Sequence, residues 1–214
     1  MKRFLDRLLD LVYPPRCALC RRFLTEKEMG VCRFCRKKYE GTSVRRELEH
    51  VSFCVAPFRY EGQVRESILR YKFHGLTAYG AAYADFLAKC IDESGISCDS
   101  ITWVPLSRRR LRSRGYDQAR ILAEATAERL GLPCEGLLEK RVDTRPQSGM
   151  GDAGRRRENA KGVYACCAPA KVTGKRILLI DDIVTTGATL SECALTLKKA
   201  GCAEVWAAAA ASRH

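Results

Sequence analysis

The sequence contains no apolar run long enough to cross a membrane, and charges interrupt every stretch that could form the core of a signal peptide. It has no GxxxxGKS or GxxxxGKT motif, which excludes a Walker-type nucleotide loop. Internal repeats and low-complexity tracts are also absent. From these absences and a length of 214 residues, we expect a cytoplasmic protein with one large domain, or a main domain with a small appendage.

Acidic residues are outnumbered, because 38 lysines and arginines stand against 25 aspartates and glutamates, for a formal charge of +13. Five arginines lie within residues 108–114 and three more within residues 155–157. A basic run is often only a solvated face, but it can also bind anions. The charge therefore favours nucleotides, pyrophosphate or nucleic acid as partners and does not choose among them.

Residues 177–190 read ILLIDDIVTTGATL. The four apolar residues at 177–180 predict a strand buried on both faces of a parallel sheet. Asp181 and Asp182 follow where we expect the chain to leave the sheet, and a small, hydroxylated segment then opens a helix. That helix is predicted from apolar residues at helical spacing and from a glycine stop, namely Leu190, Cys193, Ala194, Leu197 and Gly201.

This layout favours a ribose 5-phosphate ligand. A helix start attracts phosphate through its unpaired N–H groups, and hydroxyl donors are available from Thr185, Thr186 and Thr189. Gly187 lets the backbone approach the ligand closely. The two carboxylates would accept hydrogen bonds from a vicinal diol or help to hold Mg²⁺ through water. The alternative is an ordinary strand–loop–helix crossover with acidic caps.

Two close cysteine pairs, Cys17/Cys20 and Cys32/Cys35, are separated by eleven residues within a basic segment. This spacing predicts a tetrahedral, structural Zn²⁺ with four thiolate ligands. The alternative is four free or disulfide-bonded cysteines. We expect the other eight cysteines to be small buried apolar residues, since none has a second ligand spacing; they are Cys54, Cys90, Cys98, Cys134, Cys166, Cys167, Cys193 and Cys202.

Strand and helix patterns alternate along the chain from about residue 97 and predict an α/β protein with a doubly wound parallel sheet. The predicted strands are residues 51–60, 101–104, 163–166 and 203–210, besides the strand at 177–180. The predicted helices are residues 1–12 (amphipathic), 62–71, 79–90, 118–130 and 190–199. Residues 141–163 are predicted to form a mobile loop or lid, and residues 108–114 an arginine-rich loop after a strand.

Lys72 and His74 follow the helix at 62–71. Lys72 either reaches a pyrophosphate or is a solvated lysine at a helix end, and the sequence leaves both open. For His74 a structural role is the more common one.

The 177–190 stretch resembles, at every position, the phosphoribosyl pyrophosphate (PRPP) signature of type I phosphoribosyltransferases. The whole chain is similar to the ComF family of competence and DNA-utilisation proteins. The shared features are the four-cysteine finger, residues 71–75, VPLSRRRLRSRGYDQ at 104–118, the PRPP motif, and Arg141, Thr144, Gln147, Arg157 and Asn159. Asp117 stands where the family commonly has asparagine, which puts any anion-binding role of that position in doubt.

The resemblance implies a five-stranded type I phosphoribosyltransferase core at residues 51–214, behind an N-terminal helix and zinc finger at residues 1–50. It implies PRPP bound with Mg²⁺, its ribose hydroxyls at Asp181 and Asp182. The 5′-phosphate would lie among Thr185, Thr186, Gly187, Ala188 and Thr189. The pyrophosphate would lie near Leu106, Ser107 and Arg108. No catalytic residue is assigned.

Three functions follow from the resemblance. The first is a PRPP-binding protein of DNA uptake whose basic surface and finger contact single-stranded DNA and whose partners include DNA-uptake proteins. The second is an active phosphoribosyltransferase with an unknown nitrogen acceptor. The third is a PRPP sensor that switches a partner interaction. The sequence shows neither a nucleobase-recognising hood nor an aromatic cluster for reading bases.

Overall fold

The computed structural model describes residues 14–73, 75–142 and 162–213. The predicted helix of residues 1–12, His74, the arginines at 155–157 and most of the predicted loop at 141–163 lie outside them. The elements in chain order are α1 (Arg33–Lys38), β1 (Val44–Leu48), β2 (Val51–Ala56), β3 (Phe58–Arg59), α2 (Gly62–Phe73), α3 (Tyr79–Glu93), β4 (Ser100–Trp103), α4 (Arg108–Arg114), α5 (Gln118–Leu130), β5 (Leu138–Lys140), β6 (Tyr164–Cys166), α6 (Pro169–Val172), β7 (Arg176–Val184), α7 (Ala188–Lys199) and β8 (Glu204–Ser212).

The main sheet has the strand order β1-β2-β8-β7-β4, and β3 pairs with β8 as a sixth strand. All neighbours are parallel except β1, which forms an antiparallel hairpin with β2. The resemblance implied five strands, and the sixth arises because β8 is nine residues long and pairs with β3 after β2 has ended. β5 and β6 form a separate antiparallel pair.

The central strands are buried on both faces, as their unbroken apolar runs predict. Leu178 and Ile180 of β7 face a core made with α2, α3 and α5, whereas Ile177 and Leu179 face α7. β8 carries alanines at 207–211, all buried, whose small side chains let helices pack closely on both sides. The predicted doubly wound, mostly parallel α/β fold is confirmed.

Two local predictions were wrong. β7 does not end before the carboxylates, because β8 provides backbone partners for it as far as Ser212. The arginine run is a helix, α4, rather than a loop. Arginine is a good helix former, the Ser107 side chain caps the first turn, and Gly115 ends the helix at φ 78°. Within the described ranges no helix is both long enough and apolar enough to span a bilayer.

Candidate functional site

The carboxylates of the motif lie in a strand beside the end of its shorter neighbour. β4 pairs with β7 only as far as Trp103, which lies opposite Ile180. Asp181 and Asp182 are therefore the first residues of β7 beyond the end of β4. Ligands of parallel α/β sheets collect at such carboxyl ends. Asp181 turns back on the chain, since its Oδ1 accepts a hydrogen bond from the Asp182 backbone N–H at 2.7 Å.

Lys72 enters this site from the last turn of α2. Its Nζ lies 2.9 Å from Oδ1 of Asp182, and the two side chains are only 19% and 13% exposed. Of the two alternatives left open for Lys72, the solvated lysine is therefore excluded. The end of α2 is held in place because the Tyr71 hydroxyl donates to the Gln118 carbonyl at 2.7 Å and the Tyr116 hydroxyl donates to the Tyr71 carbonyl at 2.6 Å.

Negative charge is concentrated at the site. Burial raises the pKa of Asp181 well above its ordinary value, the Asp182 carboxylate raises it further, and the Lys72 ammonium offsets part of the rise. Burial also raises the pKa of the nearby Asp117, although backbone N–H groups that donate to its carboxylate lower it in part. A cation or a group that donates hydrogen bonds would relieve this crowding.

Asp181→Asn is expected to stabilise the ligand-free protein at neutral pH, because burial and the Asp182 carboxylate disfavour the ionised form of Asp181 in the folded state and asparagine cannot ionise. Each kcal/mol relieved raises Tm by about 2–4 °C in a chain of this size. A carboxyl whose pKa is raised by folding costs stability because the unfolded state ionises more readily, and that cost shrinks as the pH falls below the folded-state pKa and is gone below the unfolded-state pKa of about 3.9. Calorimetric melting at pH 7 and pH 4 should therefore show the gain shrinking in acid.

The exposed Asp92→Asn in α3 is the matched control and should change Tm little at either pH. A lower Tm for Asp181→Asn at pH 7 would contradict the electrostatic explanation.

The hydroxylated segment turns the end of β7 into α7. Gly187 adopts φ 82°, and a Cβ there would lie 2.3 Å from Cδ2 of Leu48, so a glycine fits this turn where a larger residue would not. Arg46 of β1 fixes the loop by donating from Nη1 to the Thr185 carbonyl at 2.6 Å. The Thr186 Oγ1 accepts from the Ala188 N–H at 3.4 Å. Thr185, Thr186, Ala188 and Thr189 remain partly accessible at the start of α7.

The segment implied to bind pyrophosphate is shaped by Asp117. Oδ2 of Asp117 accepts the Leu106 backbone N–H at 3.0 Å, and Oδ1 accepts the Arg120 N–H at the start of α5. Ser107 is 3% exposed, and its Oγ accepts the Arg110 N–H at the start of α4. Asp117 therefore has a structural role, and the Leu106 amide is already paired.

The structure thus brings the two predicted groups, 181–189 and 106–108, to the ends of the adjacent strands β7 and β4, and Arg108 is exposed there. Sequence reasoning missed the ion pair of Lys72 and the hydrogen bond of Arg46. Position 72 lies in the 71–75 segment shared with the ComF family, which was a usable signal. Arg46 lies 139 residues before its partner, and no local pattern indicates such a contact.

A cavity of about 620 Å³ lies between the β1–β2 hairpin and α7. Its lining combines two basic groups (Arg46, Lys199) with three acidic ones (Glu47, Glu49, Glu192), so the cavity carries no excess of positive charge. Thr186 and Ala188 of the motif also line it.

The four predicted zinc ligands converge. The sulfur atoms of Cys17, Cys20, Cys32 and Cys35 all lie within 4.8 Å of one another. The Sγ atoms of Cys20 and Cys32 are 3.7 Å apart, and a tetrahedral zinc with bonds of about 2.3 Å places its sulfurs about 3.8 Å apart. The donor set and its spacing therefore fit zinc, and in the described ranges this is the one such cluster of potential metal ligands.

The other cysteines follow the prediction only in part. Cys54, Cys90, Cys193 and Cys202 are buried, and Cys98, Cys134 and Cys166 are partly buried. Cys167 is exposed, which contradicts the prediction. It follows β6 of the separate β5–β6 sheet, and its Sγ lies 3.3 Å from the Gly136 carbonyl oxygen.

The ribbon around the cysteines docks on α2 and α3. Ala18, Leu19 and Val31 are buried, and the Arg70 guanidinium donates to the Ala18 and Leu19 carbonyls at 3.2 Å each. The Ser67 hydroxyl also donates to the Ala18 carbonyl.

The outer face of the ribbon carries exposed aromatic rings stacked with arginines. Phe23 and Phe34 are 50% and 56% exposed. The Arg16 guanidinium lies 4.0 Å from the Phe23 ring centroid, and those of Arg22 and Arg33 lie 4.5 and 4.9 Å from the Phe34 centroid. We call these five residues the ribbon platform.

Comparison with known protein families matches both parts of the chain. The phosphoribosyl transferase domain matches residues 117–214, and the double zinc ribbon domain matches residues 8–46. Among solved structures, a glutamine PRPP amidotransferase from B. subtilis in complex with ADP and GMP aligns with a TM-score of 0.46 at 21% identity, over 65% of this chain and 30% of that one.

Competence protein F of Haemophilus influenzae is 28% identical over 215 residues, which cover 89% of this chain and 93% of that protein. Competence protein ComFC of Streptococcus pneumoniae is 32% identical over 151 residues, or 70% of this chain and 64% of that protein. DNA utilization protein YhgH of Salmonella typhi is 34% identical over 110 residues, or 50% of this chain and 48% of that protein.

The chain is therefore a protein of phosphoribosyltransferase fold with an N-terminal zinc ribbon. More particularly, it is a homologue of the competence protein F, ComFC and YhgH proteins, and the predicted membership of the ComF family is confirmed.

Proposed function

We propose that this protein binds PRPP with Mg²⁺ at the β7–α7 motif and acts in DNA uptake or DNA utilisation in the cytoplasm. The observation that carries the proposal is the position of Asp181 and Asp182. They lie in β7 beyond the end of the neighbouring β4, a few residues before the turn at Gly187 that begins α7. The carboxylates would accept hydrogen bonds from the ribose hydroxyls, and residues 185–189 would hold the 5′-phosphate. Mg²⁺ would offset charge between ligand and carboxylates.

Titration calorimetry of the wild type with PRPP, with and without Mg²⁺, tests this proposal. Saturable binding of about one PRPP per chain that needs Mg²⁺ supports it, and no heat at millimolar PRPP contradicts it. Release of pyrophosphate on addition of a nitrogen-containing base would identify a transferase, and its absence would leave a binding or sensing role.

We also propose that the ribbon holds one structural Zn²⁺ and contacts single-stranded DNA through the ribbon platform. Residues 14–43 carry eight cationic side chains against three carboxylates. Exposed aromatic rings stack with bases of any identity, and arginines pair with phosphates. The exposed arginines of α4 offer further cationic contacts to the DNA backbone, and those at 155–157 lie outside the described residues.

Two pairs of variants separate stacking from charge in this contact. Phe23→Ala/Phe34→Ala should weaken oligonucleotide binding by about 1–3 kcal/mol per lost stack and leave the salt dependence unchanged. Arg22→Gln/Arg33→Gln should flatten the log–log salt slope by about 0.7 for each lost phosphate contact. Fluorescence anisotropy at several salt concentrations measures both effects.

Met29→Ala is the matched control, since Met29 is an exposed apolar residue on the same ribbon. Equal affinity for all of these variants, or no binding by the wild type at low salt, would remove the platform from the proposal.

A further inference from the structure

We propose that Lys72 recognises the pyrophosphate of PRPP and so distinguishes PRPP from ribose 5-phosphate. This inference rests on the proposed function and assigns one further residue within the same site. The starting observation is the ion pair of 2.9 Å between Lys72 Nζ and Asp182, formed by two largely buried side chains.

The position of Lys72 follows from the chemistry of the ligand. In PRPP the pyrophosphate is bonded to C1, the ring carbon next to C2, which carries one of the two hydroxyls. A carboxylate that accepts from those hydroxyls therefore lies next to the pyrophosphate. An ammonium group in contact with Asp182 is within reach of that leaving group. Of the three donors of a lysine ammonium, one suffices for Asp182, which leaves two for phosphate oxygens.

A network of hydrogen bonds fixes the backbone around Lys72. The Gln118 Nε2 donates to the Lys72 carbonyl at 3.3 Å, and the Tyr116 hydroxyl donates to the carbonyl of Tyr71. The Arg114 guanidinium in turn donates to Gln118 Oε1 at 3.0 Å. These contacts tie the last turn of α2 to the segment between α4 and α5. Lys72 is therefore fixed at the ends of β4 and β7, where the pyrophosphate would lie.

In the segment implied to bind pyrophosphate (Leu106, Ser107 and Arg108), two potential hydrogen-bonding groups are already engaged within the protein. Asp117, in the position where the family commonly has asparagine, accepts the Leu106 N–H at 3.0 Å. Ser107 is almost fully buried and caps α4. In the part of the chain that the structure describes, Lys72 is the cation that forms an ion pair with the carboxylates of the motif. We infer that Lys72 adds a second positive charge to the one that the exposed Arg108 of this segment offers to the pyrophosphate.

Lys72→Met tests the inference, because methionine keeps an unbranched side chain and removes the charge. Calorimetry with Mg²⁺ should show PRPP affinity falling by about tenfold or more, with ribose 5-phosphate affinity changing by less than about threefold. Lys72→Arg, which keeps the charge, should lose less PRPP affinity than Lys72→Met. The control Lys89→Met removes an ion-paired lysine of α3 whose partner is Glu40, away from the motif, and should change neither affinity.

Each outcome decides one question. An equal loss for both ligands would show that Lys72 only positions Asp182, and unchanged PRPP affinity would show that it is not part of the site; either result overturns the inference. If the wild type bound neither ligand, the proposed function itself would fail. Should Lys72→Met not fold, Lys72→Gln gives the same comparison of the two ligands.

Discussion

Cys17→Ser and Cys32→Ser are each expected to abolish binding of about one zinc ion per chain and to unfold the ribbon. A structural zinc contributes about 10–16 kcal/mol of apparent binding free energy in small zinc domains, which far exceeds what the buried apolar residues of this ribbon can supply. Those residues are few, chiefly Ala18, Leu19 and Val31. The serine hydroxyl is a poor replacement for a thiolate ligand.

Metal analysis of protein purified without added zinc, combined with limited proteolysis, measures both effects. Cleavage should concentrate in residues 14–43 of the two variants and spare the main sheet. The control Cys167→Ser changes an exposed cysteine outside the cluster and should keep the metal. Wild-type protein that is free of zinc and still resists proteolysis in the ribbon would contradict the expectation.

The second large effect is expected for Asp181→Ala/Asp182→Ala, which should weaken PRPP binding at least about tenfold. Each charge-assisted hydrogen bond lost to the ribose hydroxyls costs about 1.5–3 kcal/mol, so the combined loss is expected to be larger than tenfold. Ribose 5-phosphate should lose affinity in parallel, because it has the same diol. This parallel loss distinguishes the carboxylates from Lys72, whose removal should weaken PRPP binding far more than ribose 5-phosphate binding.

The same double variant relieves the repulsion between the two carboxylates but leaves Lys72 without its ion-pair partner, so its melting temperature is measured together with its affinity. A folded double variant at the assay temperature shows that any loss of affinity is local. Equal PRPP affinity in wild type and double variant would mean that the motif does not bind the sugar.

Much of the fold was predictable because its patterns are local. The four apolar residues at 177–180 predicted a buried strand, and the helix Gln118–Leu130 was predicted with its observed bounds, its end from Gly131 and Pro133. The four-cysteine cluster was predicted from spacing alone. In each case neighbouring residues carry the information, through helical or strand periodicity or through ligand spacing.

The errors came from tertiary context. β7 continues beyond Ile180 because β8 pairs with it there. The apolar residues at 177–180 carry no information on where β8 ends, so they could not predict the end of β7. The arginine run at 108–114 was predicted to be a loop because of its charge. It forms a helix because Ser107 caps its start and Gly115 ends it. Lys72 meets Asp182 across 110 residues of chain, and only the folded sheet brings them together.

The most direct test of the central claim is a crystal structure of the wild type with PRPP and Mg²⁺. The expected result is the ribose diol at Asp181 and Asp182, the 5′-phosphate among residues 185–189, and the pyrophosphate beside Lys72. Ligand bound instead in the cavity between the β1–β2 hairpin and α7, with no contact to either carboxylate, would contradict it.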